Sequence, residues 1–343
     1  MVDVICKEIE IRKDYLNNQP IETIYFGGGT PSLLLPDELN QILSKIHTDF
    51  DISQLKEVTL EANPDDISQE QITFWKASGI NRLSIGLQSF KSSDLKWMNR
   101  AHNVDEAYHC VELVVKNGIQ NLTVDLIYGL PNLTNEEWIR HIETVVKMGV
   151  QHVSAYCLTV EEGTALNTFV EKGKIIPASE NSQAEQFLLL VDTLEKHGFQ
   201  QYEISNFSKP GFQSKHNSNY WKGVHYLGIG PSAHSYNGKS RSWNIRNNHT
   251  YMNGIEQSTS WFETEELSKS DCYNELLLTG LRTTYGVDLS QLNDITQLNS
   301  DFFDQINCLC KDGLMEKDNQ VIRLTKSGRL QADRIASDLF ISN

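Results

Sequence analysis

Gly79, Gly118 and Gly149 occupy the same place in a recurring pattern. Each closes an amphipathic stretch and precedes a short run rich in β-branched residues. The amphipathic stretches are Leu39–His47, Ser68–Ser78, Val104–Asn117 and Glu136–Met148. The intervening runs are Glu22–Phe26, Glu57–Glu61, Asn81–Gly86, Asn121–Ile127 and Gln151–Leu158. A glycine just past a helix supplies the left-handed residue that ends it. Strands that alternate with helices in this way build a parallel sheet, and a closed or nearly closed one is a (β/α) barrel. The chemistry of such a barrel gathers at the carboxyl ends of its strands.

The rest of the chain breaks this pattern. Glu180–His197 reads as one more amphipathic helix. The run from Tyr202 to Asn244 is rich in Gly, Asn, Ser and aromatic residues. It is too long for an idle loop and too aromatic for a disordered linker. It reads as short strands covering the open edge of the barrel, with or without a binding role. From Thr264 the chain is polar and helical again, over Ser268–Leu281, Leu289–Leu292 and Asp301–Lys311. A hairpin around Asp318–Asn319 and a final helix complete a small winged-helix-like module. The expected domains are a barrel over 1–175, an extension of helix and strands over 176–260, and a C-terminal helical module over 261–343.

The charge balance narrows the partners. With 45 acidic against 30 basic residues and a net charge of -15, the chain has no broad basic face for nucleic acid. This also argues against DNA binding by the winged module. No run of about 18 apolar residues occurs, and the first residues are charged from Asp3 onward, unlike a signal peptide. The six cysteines, Cys6, Cys110, Cys157, Cys272, Cys308 and Cys310, are scattered, which suits a reduced, cytoplasmic protein.

Several polar residues fall at strand ends. Gly27-Gly28-Gly29-Thr30 follows the first strand, and successive glycines let a backbone approach a ligand closely while offering several N–H donors. It is neither a P-loop nor a dinucleotide fingerprint. Glu61 ends the second strand, Gln88 the third, and Asp125 lies late in the fourth. Arg100 follows in Asn99–His102, and Thr159 comes just past the fifth strand. Each position alone is more often structural. Together they form a polar rim that is costly to bury unless it binds something. Carboxylates, an amide and an arginine suit a ligand carrying an amino group, a ribose and a carboxylate.

FGGGTPS, EANPDDI, NRLSIGLQSF, NRAH, DLIYGLP, SAYCLTVEEGT, QYEISNF, HNSNYW and YLGIGPSAHSY follow one another in that order. In these segments the chain resembles the radical S-adenosylmethionine (SAM) proteins related to oxygen-independent coproporphyrinogen III oxidase, and most of all their heme-chaperone branch. The resemblance covers essentially the whole chain. It implies a three-quarter, TIM-like (β/α)6 barrel with a C-terminal helical module. It also implies that Gly28, Gly29, Thr30, Glu61, Gln88, Arg100, Asp125 and Thr159 contact SAM, and it extends to Ala233–His234. His216, Tyr220 and Trp221 match the family's HNxxYW segment, which implies heme binding with His216 on the iron and the two rings on the porphyrin.

The family holds a 4Fe-4S cluster on a Cys-x3-Cys-x2-Cys segment after its first barrel strand, and this chain has no such spacing. The expectation is a chain truncated before residue 1, lacking the first strand and the cluster cysteines, with the cluster confined to a full-length form. Cys6 lies in the helix pattern beyond the expected segment and is not a surviving ligand. The implied function is heme trafficking, with heme or a porphyrin as partner and heme-accepting respiratory proteins at the membrane as candidate recipients. The alternative is oxygen-independent coproporphyrinogen III oxidase (coproporphyrinogen dehydrogenase) in porphyrin biosynthesis. Without the cysteines this chain is not expected to perform that radical chemistry.

Overall fold

Alternating side chains decide how the strands are used. The computed structural model describes residues 1–342. Seven strands form one mixed sheet: β1 (Thr23–Phe26), β2 (Glu57–Ala62), β3 (Arg82–Gln88), β4 (Leu122–Tyr128), β5 (His152–Cys157), β6 (Gln200–Glu203) and β7 (Asn206–Ser208). Their order is β1-β2-β3-β4-β5-β7-β6, so the sheet is open and β1 and β6 are its edges. Pairing is parallel from β2 to β5, while β7 runs antiparallel to both β5 and β6. This is the partial (β/α) barrel expected from the sequence.

On β3 and β4, Leu83, Ile85, Leu87, Leu122, Val124 and Leu126 are buried. A parallel sheet packed on both faces reads as continuous apolar runs. Here the intervening positions are polar: Ser84 and Gln88 on β3, Thr123 and Asp125 on β4, His152 and Ser154 on β5. The sheet therefore has one apolar face, covered by crossover helices, and one polar face.

The helices of the first part are α1 (Val2–Ile11), α2 (Pro36–Asp49), α3 (Gln69–Ala77), α4 (Ser92–Trp97), α5 (Val104–Lys116), α6 (Asn135–Lys147), α7 (Ala165–Glu171) and α8 (Glu180–Lys196). Capping boxes start α5 at Asn103 with Glu106, and α6 at Thr134 with Glu137. Gly79, Gly118 and Gly149 have φ of 92°, 79° and 76°, the left-handed residues predicted to end α3, α5 and α6.

The aromatic run is not made of strands alone. It contains a helix, α9 (Lys215–Trp221), before β8 (His234–Tyr236) and β9 (Ser240–Asn244). After α10 (Asn248–Glu256), β10 (Phe262–Glu266) joins them in a separate antiparallel sheet of order β10-β9-β8. Glu8 on α1 is fully buried and accepts from Gly230 N at 2.8 Å, Asn244 Nδ2 at 2.7 Å and Tyr251 Oη at 2.5 Å. One buried carboxylate thus ties α1 to β9, to α10 and to the loop before β8.

The C-terminal module comprises α11 (Lys269–Leu281), β11 (Val287–Asp288), α12 (Leu289–Ile295), α13 (Ser300–Lys311), β12 (Met315–Asp318), β13 (Val321–Leu324), α14 (Lys326–Arg329) and α15 (Ala332–Asp338). The expected hairpin turns at Asn319, whose φ is 53°, and β11 adds a third strand to it. By contacts the chain divides into two units. One is Met1–Tyr25, Leu34–Val58 and Ser214–Asn343, and the other is Phe26–Leu33 and Thr59–Gln213. Among the described residues no helix is long and apolar enough to cross a membrane.

Candidate functional site

Strand register assembles the polar rim. Glu61 pairs with Ser84 across β2 and β3, and Gly86 pairs with Asp125, which in turn pairs with Ser154. Side chains at paired positions share a face, so Glu61, Ser84, Asp125 and Ser154 all lie on the polar side. Ser84 Oγ donates to both Asp125 oxygens at 3.3 Å. Burial, with the Glu61 charge added, pushes the Asp125 carboxyl up to about 7. The hydroxyls of Ser84 and Ser154 and the charge of Arg82 oppose that rise. Arg82 itself, buried, donates to Asn121 and Thr123.

The triple-glycine turn joins this group through Gly28 N, which donates to Glu61 Oε2 at 3.2 Å. Gly28 and Gly29 have φ of 74° and 64°, a consecutive left-handed pair that side chains would strain. Thr30 closes the turn, its carbonyl accepting from Leu33 N at 3.1 Å.

Arg100 and Gln88 converge over Gly86. Arg100 Nη2 donates to Asn63 Oδ1 at 2.7 Å and to Gly86 O at 3.1 Å. A Cβ on Gly86 would lie 2.8 Å from Gln88 Nε2 and 3.4 Å from Arg100 Nη2, so the glycine makes room for both. The register of β3 against β4 shifts between Gly86 and Gln88, and Gln88 has φ of 68°. A left-handed non-glycine costs about 1–2 kcal/mol, and such strain gathers at functional positions. The buried Nε of Arg100 has no hydrogen-bond partner among the described residues. An orphaned guanidinium N–H, two neighbouring carboxyl groups and exposed glycine backbone fit a zwitterionic, hydroxylated ligand such as SAM. Thr159 stands apart: it is exposed, and its hydroxyl donates to Glu161 Oε1 at 3.1 Å.

His216, Tyr220 and Trp221 are all on α9. The imidazole stacks on Tyr25, with ring centroids 4.7 Å apart and planes at 23°, and its Nδ1 is 2.9 Å from Thr23 Oγ1. Burial lowers the His216 pKa below the ordinary imidazole value, against the pull of the Glu57 charge, which favours the neutral ring. A neutral imidazole with one nitrogen held is the form that ligates iron. Tyr220 is 42% exposed, and Trp221 lies beneath the Arg282 guanidinium, 5.4 Å from its centroid. Ala233 and His234 belong to the loop and first residue of β8, with His234 exposed beside Trp243.

The cysteines do not fit an iron–sulfur cluster. Cys6 is on α1, Cys110 on α5, Cys157 at the end of β5, Cys272 on α11, and Cys308 and Cys310 on α13. Among the described residues no three His, Cys, Asp or Glu side chains are grouped to hold a metal ion. Burial raises the Cys110 thiol to about 12 and Cys157 to about 11, which disfavours the thiolates a cluster needs.

Sequence reasoning missed the partners of these residues: Ser84 and Asn63 at the rim, and Thr23, Tyr25 and Glu57 at His216. The alternation in Thr23-Ile24-Tyr25 was the available signal, because it places Thr23 and Tyr25 on one face while Ile24 is buried.

Comparisons with known proteins identify the family. Residues 3–145 match the radical SAM superfamily and residues 267–330 the HemN C-terminal domain. The chain is 35% identical to the heme chaperone HemW of Lactococcus lactis, over 90% of this chain and 82% of that one. It is 32% identical to the heme chaperone HemW of Bacillus subtilis, over 96% and 94%. Coproporphyrinogen III oxidase (HemN) from Escherichia coli, a radical SAM enzyme, has the same fold, with a TM-score of 0.82 at 22% identity over 98% of this chain and 82% of that one.

Proposed function

The chain belongs to the radical SAM superfamily and, within it, to the HemW-type proteins, and from that premise we propose that it is a heme-binding trafficking protein whose barrel binds SAM. The observation that carries the heme part is His216: half-buried, stacked on Tyr25, with Nδ1 engaged and Nε2 left to ligate iron. Tyr220 and Trp221 are the rings proposed to pack on the porphyrin. In transit, heme would pass to an acceptor, for which respiratory proteins at the membrane are the proposed class.

SAM is proposed to sit on the polar face. Gly28, Gly29 and Thr30 would hold its amino acid part, Glu61 its ammonium, Asp125 and Gln88 its ribose hydroxyls, and Arg100 its carboxylate. Thr159 completes the set by resemblance. Bound SAM would bring a sulfonium and a transferable 5′-deoxyadenosyl group. The residues described here do not fit the 4Fe-4S cluster, so no reductive step is derived.

Hemin titration followed at the Soret band tests the reading. Wild type is expected to bind and His216→Ala to bind more weakly. An unchanged titration in the variant would remove His216 from heme binding. Turnover of coproporphyrinogen by the protein would instead support the oxidase.

A further inference from the structure

We propose that Glu57 and Thr23 are positioning residues that fix His216 as its Nδ1–H tautomer and present the Nε2 lone pair outward; this rests on the heme reading above. Glu57 begins β2 and is 1% exposed. It has no lysine or arginine partner among the described residues. The hydrogen bonds of its carboxylate go to the first turn of α9. Oε1 accepts from Ser214 Oγ at 3.2 Å and from His216 N at 3.0 Å, and Oε2 accepts from Lys215 N at 2.9 Å.

A buried carboxylate is costly unless its oxygens are well satisfied, and charge-assisted bonds to backbone N–H groups are among the strong ones. Capping alone does not call for this arrangement. Ser214 is already the N-cap of α9 and accepts from Asn217 N at 3.2 Å. Glu57 adds a bond to the backbone N of His216 itself. That fixes where the imidazole starts.

β1 fixes how it points. Thr23 and Tyr25 share a strand face by alternation, and His216 lies over both. The Tyr25 ring sets the imidazole plane, and Thr23 Oγ1 at 2.9 Å sets its rotation. Asn219, one turn on, donates to Glu22 Oε2 at 3.4 Å, so the same helix is tethered a second time beside β1. A partly exposed histidine with a purely structural role does not need its backbone, plane and rotation all constrained. With Nδ1–H donating to Thr23, the nitrogen left for a ligand is Nε2. In metal sites the hydrogen bond at one ring nitrogen selects the other as ligand.

Two measurements on the full chain decide this. Two-bond ¹H–¹⁵N spectra of the ligand-free protein report the tautomer. The expected result is Nδ1–H for His216 in wild type and in Thr23→Ser, and loss of that preference in Thr23→Val. A wild-type Nε2–H tautomer would overturn the proposal. Hemin titration with Soret detection is the second. Thr23→Val and Glu57→Gln are expected to bind about tenfold or more weakly, as loss of an outer partner does at metal sites. Thermal melts identify any variant that fails to fold, and Thr23→Val keeps the test open if Glu57→Gln does. If His216→Ala weakens hemin binding while Thr23→Val and Glu57→Gln bind like wild type, the positioning role is wrong and the heme reading stands. If His216→Ala binds hemin like wild type, the heme reading fails, and the presentation of Nε2 to heme fails with it.

Discussion

Asp125 and Glu57 are both carboxylates on strands of one sheet, and their surroundings treat them in opposite ways. Asp125 shares a polar face with Glu61, is served by the hydroxyls of Ser84, at a long 3.3 Å, and Ser154, and is pushed up to about 7. Glu57 is at least as buried, yet receives three donors at 2.9–3.2 Å. The fold is built around the Glu57 charge and leaves the Asp125 charge poorly served. A carboxylate that the protein alone satisfies is part of the scaffold. One that it leaves unsatisfied is prepared for a ligand.

The largest expected effect comes from removing the satisfied carboxylate. Glu57→Ala strands a buried serine hydroxyl and two backbone N–H groups. Each such group costs about 1–3 kcal/mol, so a loss on the order of 3–5 kcal/mol is expected in urea unfolding. A loss under about 1 kcal/mol would mean that water replaces Glu57 at α9 and would erase the contrast.

Asp125→Asn is expected to do the reverse, and mainly at high pH. The folded-state pKa lies above the ordinary unfolded value, so ionisation of Asp125 favours the unfolded chain. The penalty is absent below about pH 4, grows as pH rises, and is complete above pH 7. The variant should therefore gain on the order of 3 kcal/mol more at pH 8 than at pH 4.5, where the gain is about 1 kcal/mol. Measured as a difference from wild type, the gain is free of the buried histidines, such as His141 with its pKa lowered to about 4 by burial. The same variant should lose SAM binding in calorimetry. A gain equal at both pH values would show that the carboxyl is not destabilised in the fold.

These two residues also mark what a sequence can disclose. Periodicity and glycine caps predicted the βα layers, because each layer carries its own signal. Glu61, Gln88, Arg100 and Asp125 were legible because strand ends are where barrel chemistry collects. Ser84 and Asn63 were not, since their hydrogen bonds to Asp125 and Arg100 span 41 and 37 positions of chain and form only once the strands are assembled. The α9 region was less legible still. Its helix has seven residues, too few for an apolar period, and its partners Thr23 and Glu57 lie 193 and 159 positions from His216. Glu57 at the start of a strand reads as solvated, and only the folded chain brings α9 onto it.

Gly86→Ala separates ligand geometry from stability. The added Cβ meets the ends of two flexible side chains, Gln88 Nε2 at 2.8 Å and Arg100 Nη2 at 3.4 Å, and its three nearest neighbours are all side-chain atoms. The fold should lose less than about 1 kcal/mol. Displacing both side chains should weaken SAM by about tenfold, equivalent to 1.4 kcal/mol. A destabilisation larger than the binding loss would place Gly86 with Glu57, as scaffold.

The smallest effect is expected at Thr159. Resemblance puts it among the SAM residues, but it is exposed and its hydroxyl is engaged with Glu161 two positions on. A surface hydroxyl already bonded to a neighbouring carboxylate has little to give a ligand unless the loop after β5 rearranges. Thr159→Ala should change SAM affinity by less than about threefold and stability by less than about 0.5 kcal/mol. A tenfold loss of affinity would show that the loop closes over the ligand and breaks the Thr159–Glu161 bond. The polar face would then be completed by binding, unlike the α9 region, whose contacts are complete before any ligand arrives.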